Sequence, residues 1–267
     1  MPIAKFIKFA HEAGADGIEL LDAFLYAPGV IRDHLPSDET IQEFSKEALV
    51  ALNQYGMNVH AVCVTNDFNH EDATRLKVER AKIELGIKLA KTFSAPVVRV
   101  FSGNPTSSDS DELVRYSTID ALKDLSDQSV TLALENHGAV FASPSRLESI
   151  LGPLNKSNVG LCFDIGNFLL ADVDPVEAAR YLPVPSLIHV KDFRLVESGA
   201  YRSNAGLHYN GCRLGEGVVQ IRETLEVLLH RLDGQSISID LEMECGDDGI
   251  EATRHGITWL KELVRAS

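Results

Sequence analysis

Seven short apolar runs recur along this chain, separated by longer stretches with helical spacing. The runs are GIELL (17–21), NVHAVCV (58–64), APVVRVF (95–101), TLALENH (131–137), VGLCFDI (159–165), SLIHVKD (186–192) and ISIDLEM (237–243). Helices are expected over 3–13, 38–55, 71–93, 109–126, 143–153, 172–182, 217–232 and 251–265. Within 71–93, Leu76, Arg80, Ile83, Ile87 and Ala90 fall along one side, the amphipathic pattern of a helix laid on a core. Ser37 and Asp38 stand where a cap for the 38–55 helix belongs. Strands alternating with helices along the whole length specify a parallel sheet covered by helices.

No Pro/Ser/Gly-rich linker interrupts the pattern, so a single domain over 1–267 is expected. At this length a closed α/β barrel of the (β/α)8 type fits better than an open doubly wound sheet. The open sheet would want a Gly-x-Gly-x-x-Gly after its first strand, and none is there. The chain opens on a helix and has seven strand-like runs, so the barrel expected here lacks its first β-strand. Unpaired edges at such a gap would favour self-association into a homo-oligomer.

Composition removes several function classes. The formal net charge of -14 argues against a nucleic-acid groove, which needs clustered Lys and Arg. No run approaches the roughly 18 apolar residues of a membrane span, and no signal peptide opens the sequence. Cys63, Cys162, Cys212 and Cys245 form no Cys-x-x-Cys pair. A reducing, cytoplasmic setting is the expectation, with Cys63 and Cys162 serving as small hydrophobes inside strands.

Strand parity exposes a pattern. Alternate residues of a strand face opposite sides. In TLALE, Leu132 and Leu134 oppose Thr131, Ala133 and Glu135; in VGLCFD, Val159, Leu161 and Phe163 oppose Gly160, Cys162 and Asp164. Ile188 and Val190 oppose His189, while Leu241 and Met243 oppose Asp240 and Glu242. Glu19 and Arg99 likewise stand opposite their strands' aliphatic residues. Six strands thus place an ionisable group away from the helices, most near the C-terminal end where barrel enzymes build their sites.

Glu135, Asp164 and Glu242 would converge as three carboxylates whose mutual repulsion a divalent cation relieves. His189 adds a nitrogen donor, and three oxygens with one imidazole suit Mn²⁺, Co²⁺, Mg²⁺ or Zn²⁺. A metal-free ion-pair network of these acids with Glu19, Arg99 and Lys191 is the competing reading.

At these residues the chain resembles a known group. ENHG, GLCFDIGN, HVKD, LGEG and LEME occur in an order and spacing similar to those of the sugar-phosphate isomerase/epimerase family, the xylose-isomerase-like TIM barrels. The resemblance runs from GADGIEL to the end of the chain. It implies that Glu135, Asp164, His189 and Glu242 are metal ligands, with Glu242 favoured over Glu244, which shares its parity. Many members carry Asp-x-x-His; here the motif is Asp164-Ile165-Gly166-Asn167, which weakens a zinc-rich multi-metal reading and leaves Asn167 as a substrate contact.

For such a family the expected function is metal-dependent isomerisation or epimerisation of a ketose, related sugar or sugar phosphate. The metal would hold the carbonyl and a neighbouring hydroxyl, making an α-proton removable through an enediolate. Glu135 and Glu242 would serve as catalytic bases as well as ligands. His137, with the parity of Glu135, and Lys191, with that of His189, are further substrate-binding candidates, each with a structural alternative. Arg194 is another, in the loop beyond Lys191. Asn66, Asp67 and Phe68 suit a pocket wall or equally a turn, and Gly215-Glu216-Gly217 suits a tight turn into a helix better than an anion site. His60 has no assigned role. A metal-dependent dehydratase of the inosose type needs the same ligands; a non-catalytic sugar-binding barrel is the third reading. A DNA-repair endonuclease would need more His and Asp ligands and a basic surface.

Overall fold

Local chemistry sets the element boundaries. The computed structural model describes residues 1–27, 30, 32–103, 108–126, 129–138, 141–246 and 248–266. It opens with helix α1 (Ile3–Glu12), which buries Ile3, Ile7 and Ala10, followed by strand β1 (Gly17–Leu21). Ser37 caps α2 (Asp38–Tyr55) by accepting from the Thr40 N–H at 3.1 Å, and Gly56 ends it in the left-handed region at φ 62°. After β2 (Asn58–Cys63), Asp72 caps α3 (Ala73–Phe93) through the Thr74 N–H at 2.7 Å. Then come β3 (Val97–Val100), α4 (Ser108–Leu125), β4 (Thr131–Glu135) and α5 (Pro144–Leu151). Strand β5 (Val159–Asp164) runs directly into α6 (Ile165–Leu170), followed by α7 (Pro175–Tyr181), whose first turn Asp174 caps. The remainder comprises β6 (Leu187–Val190), β7 (Asp192–Val196), β8 (Tyr201–Arg202), β9 (His208–Cys212), α8 (Ile221–Leu232), β10 (Ile239–Leu241) and α9 (Gly249–Ala266).

The chain packs as two compact units, Met1–Leu134 with Ile150–Gly160, and Glu135–Ser149 with Leu161–Ser267. Seven parallel strands follow the order β1-β2-β3-β4-β5-β6-β10. In the first unit β1 pairs with β2, β2 with β3 and β3 with β4, with a register shift at Ile18/Glu19. In the second, β5 pairs with β6 and β6 with β10. Strands β3 and β6 are buried at every position, as parallel strands with both faces covered must be.

Glycine positions reveal which strand faces meet helices. A Cβ on Gly86 of α3 would lie 2.6 Å from Val64 and 3.0 Å from Val98, so both valines face that helix. Arg99 is the next residue along; it donates to the Val64 carbonyl at 3.1 Å and lies 4.0 Å over the Phe101 ring. In the second unit a Cβ on Gly256 of α9 would meet Leu241 at 2.7 Å and Met243 at 3.5 Å. Glu242 lies between these two in sequence and therefore opposes them.

Three features depart from the sequence-based expectation. Residues 186–192 are not one strand: β6 ends at Val190, and β7 starts at Asp192 in a separate antiparallel sheet of order β7-β9-β8. Its strands are held by cross-strand partners such as Leu195 with Tyr209, and this pairing leaves little trace in local hydrophobic periodicity. Helix α6 spans only six residues, too few for a periodic signal. The last strand shortens to Ile239–Leu241. Among the described residues no strand precedes α1, and no helix is long and apolar enough to cross a membrane.

Candidate metal centre

Strand ends in the second unit deliver the donors. Glu135 closes β4, Asp164 closes β5, His189 lies within β6, and Glu242 follows β10, its N–H continuing the ladder to the Val190 carbonyl at 2.9 Å. His189 Nδ1 lies 3.1 Å from Glu242 Oε1, 3.7 Å from Glu135 Oε2 and 4.0 Å from Asp164 Oδ2. One ligand atom from each of the four residues falls within 4.8 Å of the others. Bonds of about 2.1 Å at octahedral or tetrahedral angles separate neighbouring donors by roughly 3.0–3.4 Å. The donor atoms lie up to 4.8 Å apart, so holding a divalent ion would draw the widest pair in by roughly 1 Å, and a carboxylate-rich set with one imidazole suits Mg²⁺, Mn²⁺, Co²⁺ or Zn²⁺.

Supporting contacts orient the set. Asn136 accepts from the Asp164 N–H at 2.7 Å and donates to the Asp164 carbonyl at 2.8 Å, clamping the end of β5. Asp164 Oδ1 caps α6 by accepting from the Asn167 N–H at 2.8 Å, which leaves Oδ2 toward His189. The Asn167 side chain donates to Glu135 Oε1 at 2.8 Å. Lys191 places its ammonium 2.8 Å from Asp164 Oδ2 and 2.6 Å from Glu242 Oε2. Only glycine at 166 admits this lysine, since a Cβ there would lie 2.5 Å from Lys191 Cγ.

The electrostatics follow from burial. Loss of water pushes the Asp164 carboxyl up to about 6, against the pull of the Lys191 ammonium. Burial works against the Lys191 charge, yet Asp164, Glu242 and Glu135 hold it well above the ordinary lysine value. Lys191 is a tethered cation inside a trio of carboxylates. Balancing formal charges, three acids and one lysine leave two negative charges for a divalent ion to neutralise.

The remaining sequence candidates divide. Asn167 and Lys191 touch the cluster directly. His137 is exposed, with its N–H on the Glu135 carbonyl at 2.9 Å. Arg194 projects from β7 to an exposed ion pair with Glu216 at 3.2 Å, so the structure does not bring it to the donors. Glu244 accepts from the Tyr201 hydroxyl and stands 3.9 Å from Lys191, outside the four-donor set. In the first unit Asn66 pairs twice with Phe101 (2.7 and 2.9 Å), a stitch between chain segments rather than a pocket wall. The amides of Gly215, Gly217 and Val219 all donate to Asp192, at 2.9, 2.9 and 3.2 Å, which makes LGEG the expected turn. The Asn136 clamp went unassigned in the sequence. Its parity opposes that of Glu135, so only its place directly after the strand-end acid could have marked it.

Parallel strands alternating with helices, with candidate metal ligands at the strands' C-terminal ends, define an α/β barrel class. The sequence profile described as "Xylose isomerase-like TIM barrel" matches residues 7–263, and the chain belongs to that family. Solved structures with this fold include a xylose isomerase-like TIM barrel protein from Mycobacterium smegmatis in complex with magnesium, at 17% identity and TM-score 0.69, covering 100% of this chain and 90% of that one. A 3-keto-D-glucoside 4-epimerase from E. coli shares 16% identity at TM-score 0.71, over 98% of this chain and 94% of that one. A probable 3-DHS dehydratase from Bacillus anthracis shares 17% identity at TM-score 0.72, over 98% and 94%. No curated protein matches the sequence.

Proposed function

We propose that the protein is a divalent-metal-dependent isomerase or epimerase of a ketose, related sugar or sugar phosphate, working by removal of a proton next to a carbonyl. The observation that carries this reading is the pair of carboxylates from different strands, Glu135 and Glu242, at 3.7 and 3.1 Å from one imidazole nitrogen. A divalent ion bound by Glu135, Asp164, His189 and Glu242 would supply Lewis-acid polarisation of the carbonyl. Glu242, 24% exposed, is the more accessible base and would take the α-proton. Glu135, fixed by Asn167, would enter the step protonated and deliver that proton to the resulting enediolate, so that one carboxyl loses a proton as the other gains one. Return to the same carbon from the other face inverts it; return to the neighbouring carbon isomerises. The Lys191 ammonium, beside both Asp164 and Glu242, would offset negative charge growing on a substrate oxygen.

Lys191 also supports a second reading. An ammonium at this place can protonate a departing hydroxyl, which converts the same α-proton removal into dehydration. The solved dehydratase with this fold keeps that reading in play.

The test is metal content by mass spectrometry of protein purified without chelator, beside Glu135→Ala/His189→Ala, followed by proton NMR of ketoses in D₂O. About one equivalent of metal in the parent, little in the variant, and metal-dependent exchange of one α-proton are expected. A new carbonyl product lacking water would select the dehydratase. No metal uptake even with added Mn²⁺, or no exchange by loaded protein, would overturn the proposal in favour of a binding protein.

A further inference from the structure

Behind the four-donor set lies another group of ligand atoms. Glu135, Cys162 and His189 each offer one atom within 4.8 Å of the others, and all three residues are buried. Cys162 shares its strand face with Asp164 but precedes it by two residues in β5, about 6.5 Å back along the strand. Two donors, Glu135 and His189, are common to both groups. A metal can therefore be held with Asp164 and Glu242 at the strand ends, or one layer deeper with the thiol.

We propose that Glu135, Cys162 and His189 form a second, inner metal position selective for thiophilic cations such as Cd²⁺ and Zn²⁺. Its occupation excludes a hard cation from the outer position. The chemistry of the donors separates the two. The outer set is three carboxylates and an imidazole, suited to Mg²⁺ or Mn²⁺, whereas a thiolate favours soft ions strongly. On binding, the Cys162 S–H bond breaks, sulfur keeps the electron pair as ligand, and the proton leaves to solvent. With Glu135 and His189 common to both groups, two divalent ions would lie close enough to repel each other strongly, so inner and outer occupation compete. This inference goes beyond the sugar chemistry and needs only that the two shared donors bind metal.

Cadmium reports directly, since a Cd–thiolate bond absorbs in the ultraviolet. Titration of chelator-treated protein with Cd²⁺ alone is expected to raise that absorption to saturation at one equivalent. The band should be lost in Cys162→Ala and in the near-isosteric Cys162→Ser, each checked for folding by circular dichroism. It should persist in Glu242→Gln, which takes a carboxylate from the outer set and keeps an amide oxygen beside His189. In protein preloaded with Mn²⁺, Cd²⁺ should release Mn²⁺ one for one, read by the electron paramagnetic resonance of the free ion. No band in the parent, a band retained in a folded Cys162 variant, or loss of the band in Glu242→Gln would overturn the inner position. Simultaneous binding of both ions would overturn the competition between the two positions. None of these readouts uses catalysis, so absence of sugar turnover would refute the enzymatic reading and leave this one standing.

Discussion

Asp164 does three jobs with one side chain and its own backbone N–H and carbonyl. Its Oδ1 caps α6, its Oδ2 faces Lys191 and His189, and its backbone N–H and carbonyl are both taken by Asn136. Burial makes that carboxylate expensive in the absence of metal. The folded-state value near 6 lies above the ordinary 3.8, so the group favours the folded state most fully below about 3.8, and that stability is lost as pH rises through about 6. A tenfold change in proton affinity is equivalent to about 1.36 kcal/mol. Relative to Asp164→Asn, chelator-treated parent should therefore lose on the order of 2–3 kcal/mol between about pH 4 and 7. Urea unfolding of both proteins across that range measures it; a constant difference would refute the assignment. The residue was legible in the sequence as a strand-end acid of the right parity. Its role as helix cap was not, because a six-residue helix leaves no periodic trace.

At the scale of elements, two motifs that lie apart in sequence are one structure. Asp192 of HVKD accepts from the amides of Gly215, Gly217 and Val219, as well as from Phe193, and so fixes the LGEG turn that leads into α8. Gly217 has no alternative, since a Cβ there would lie 2.0 Å from Asp192 Oδ1. Replacing Asp192 by Ala strips three part-buried amides of their acceptor, each worth about 1–3 kcal/mol when left unsatisfied. The expected result is a marked loss of stability and fast amide exchange over 215–219, read by hydrogen–deuterium exchange mass spectrometry. Unchanged protection there would show that the turn holds itself. The sequence shows Gly-Glu-Gly as a turn, but its acceptor lies more than twenty residues upstream, beyond any local pattern.

For the whole molecule, charge sets an expectation about nucleic acid. A net charge of -14 repels duplex DNA at long range, and the expectation is that it does not bind. The protein should show no retention on duplex DNA at low salt and no cleavage of abasic-site DNA, even with Mg²⁺, Mn²⁺ or Zn²⁺ supplied. Salt-sensitive binding in a filter or gel-shift assay would contradict this. Two compact units share the family's span of 7–263, and the four donors all come from the second.

Alternation of apolar runs with helical stretches was enough to specify the parallel strands and most of their helices. The period of a strand and that of a helix are written into which residues are apolar. Parity was enough to set Glu135, Asp164, His189 and Glu242 away from the helices, because a pleat leaves a side chain only two directions, while the choice of Glu242 over Glu244, of equal parity, came from the family resemblance. Only the folded chain decided what surrounds them. The insertion of Lys191 between Asp164 and Glu242 depends on contacts from separate strands, as do the Asn136 clamp, the Glu244–Tyr201 pairing and the approach of Cys162 to Glu135 and His189. Distances across strands are set by register and packing, and no pattern of neighbours along the chain encodes them.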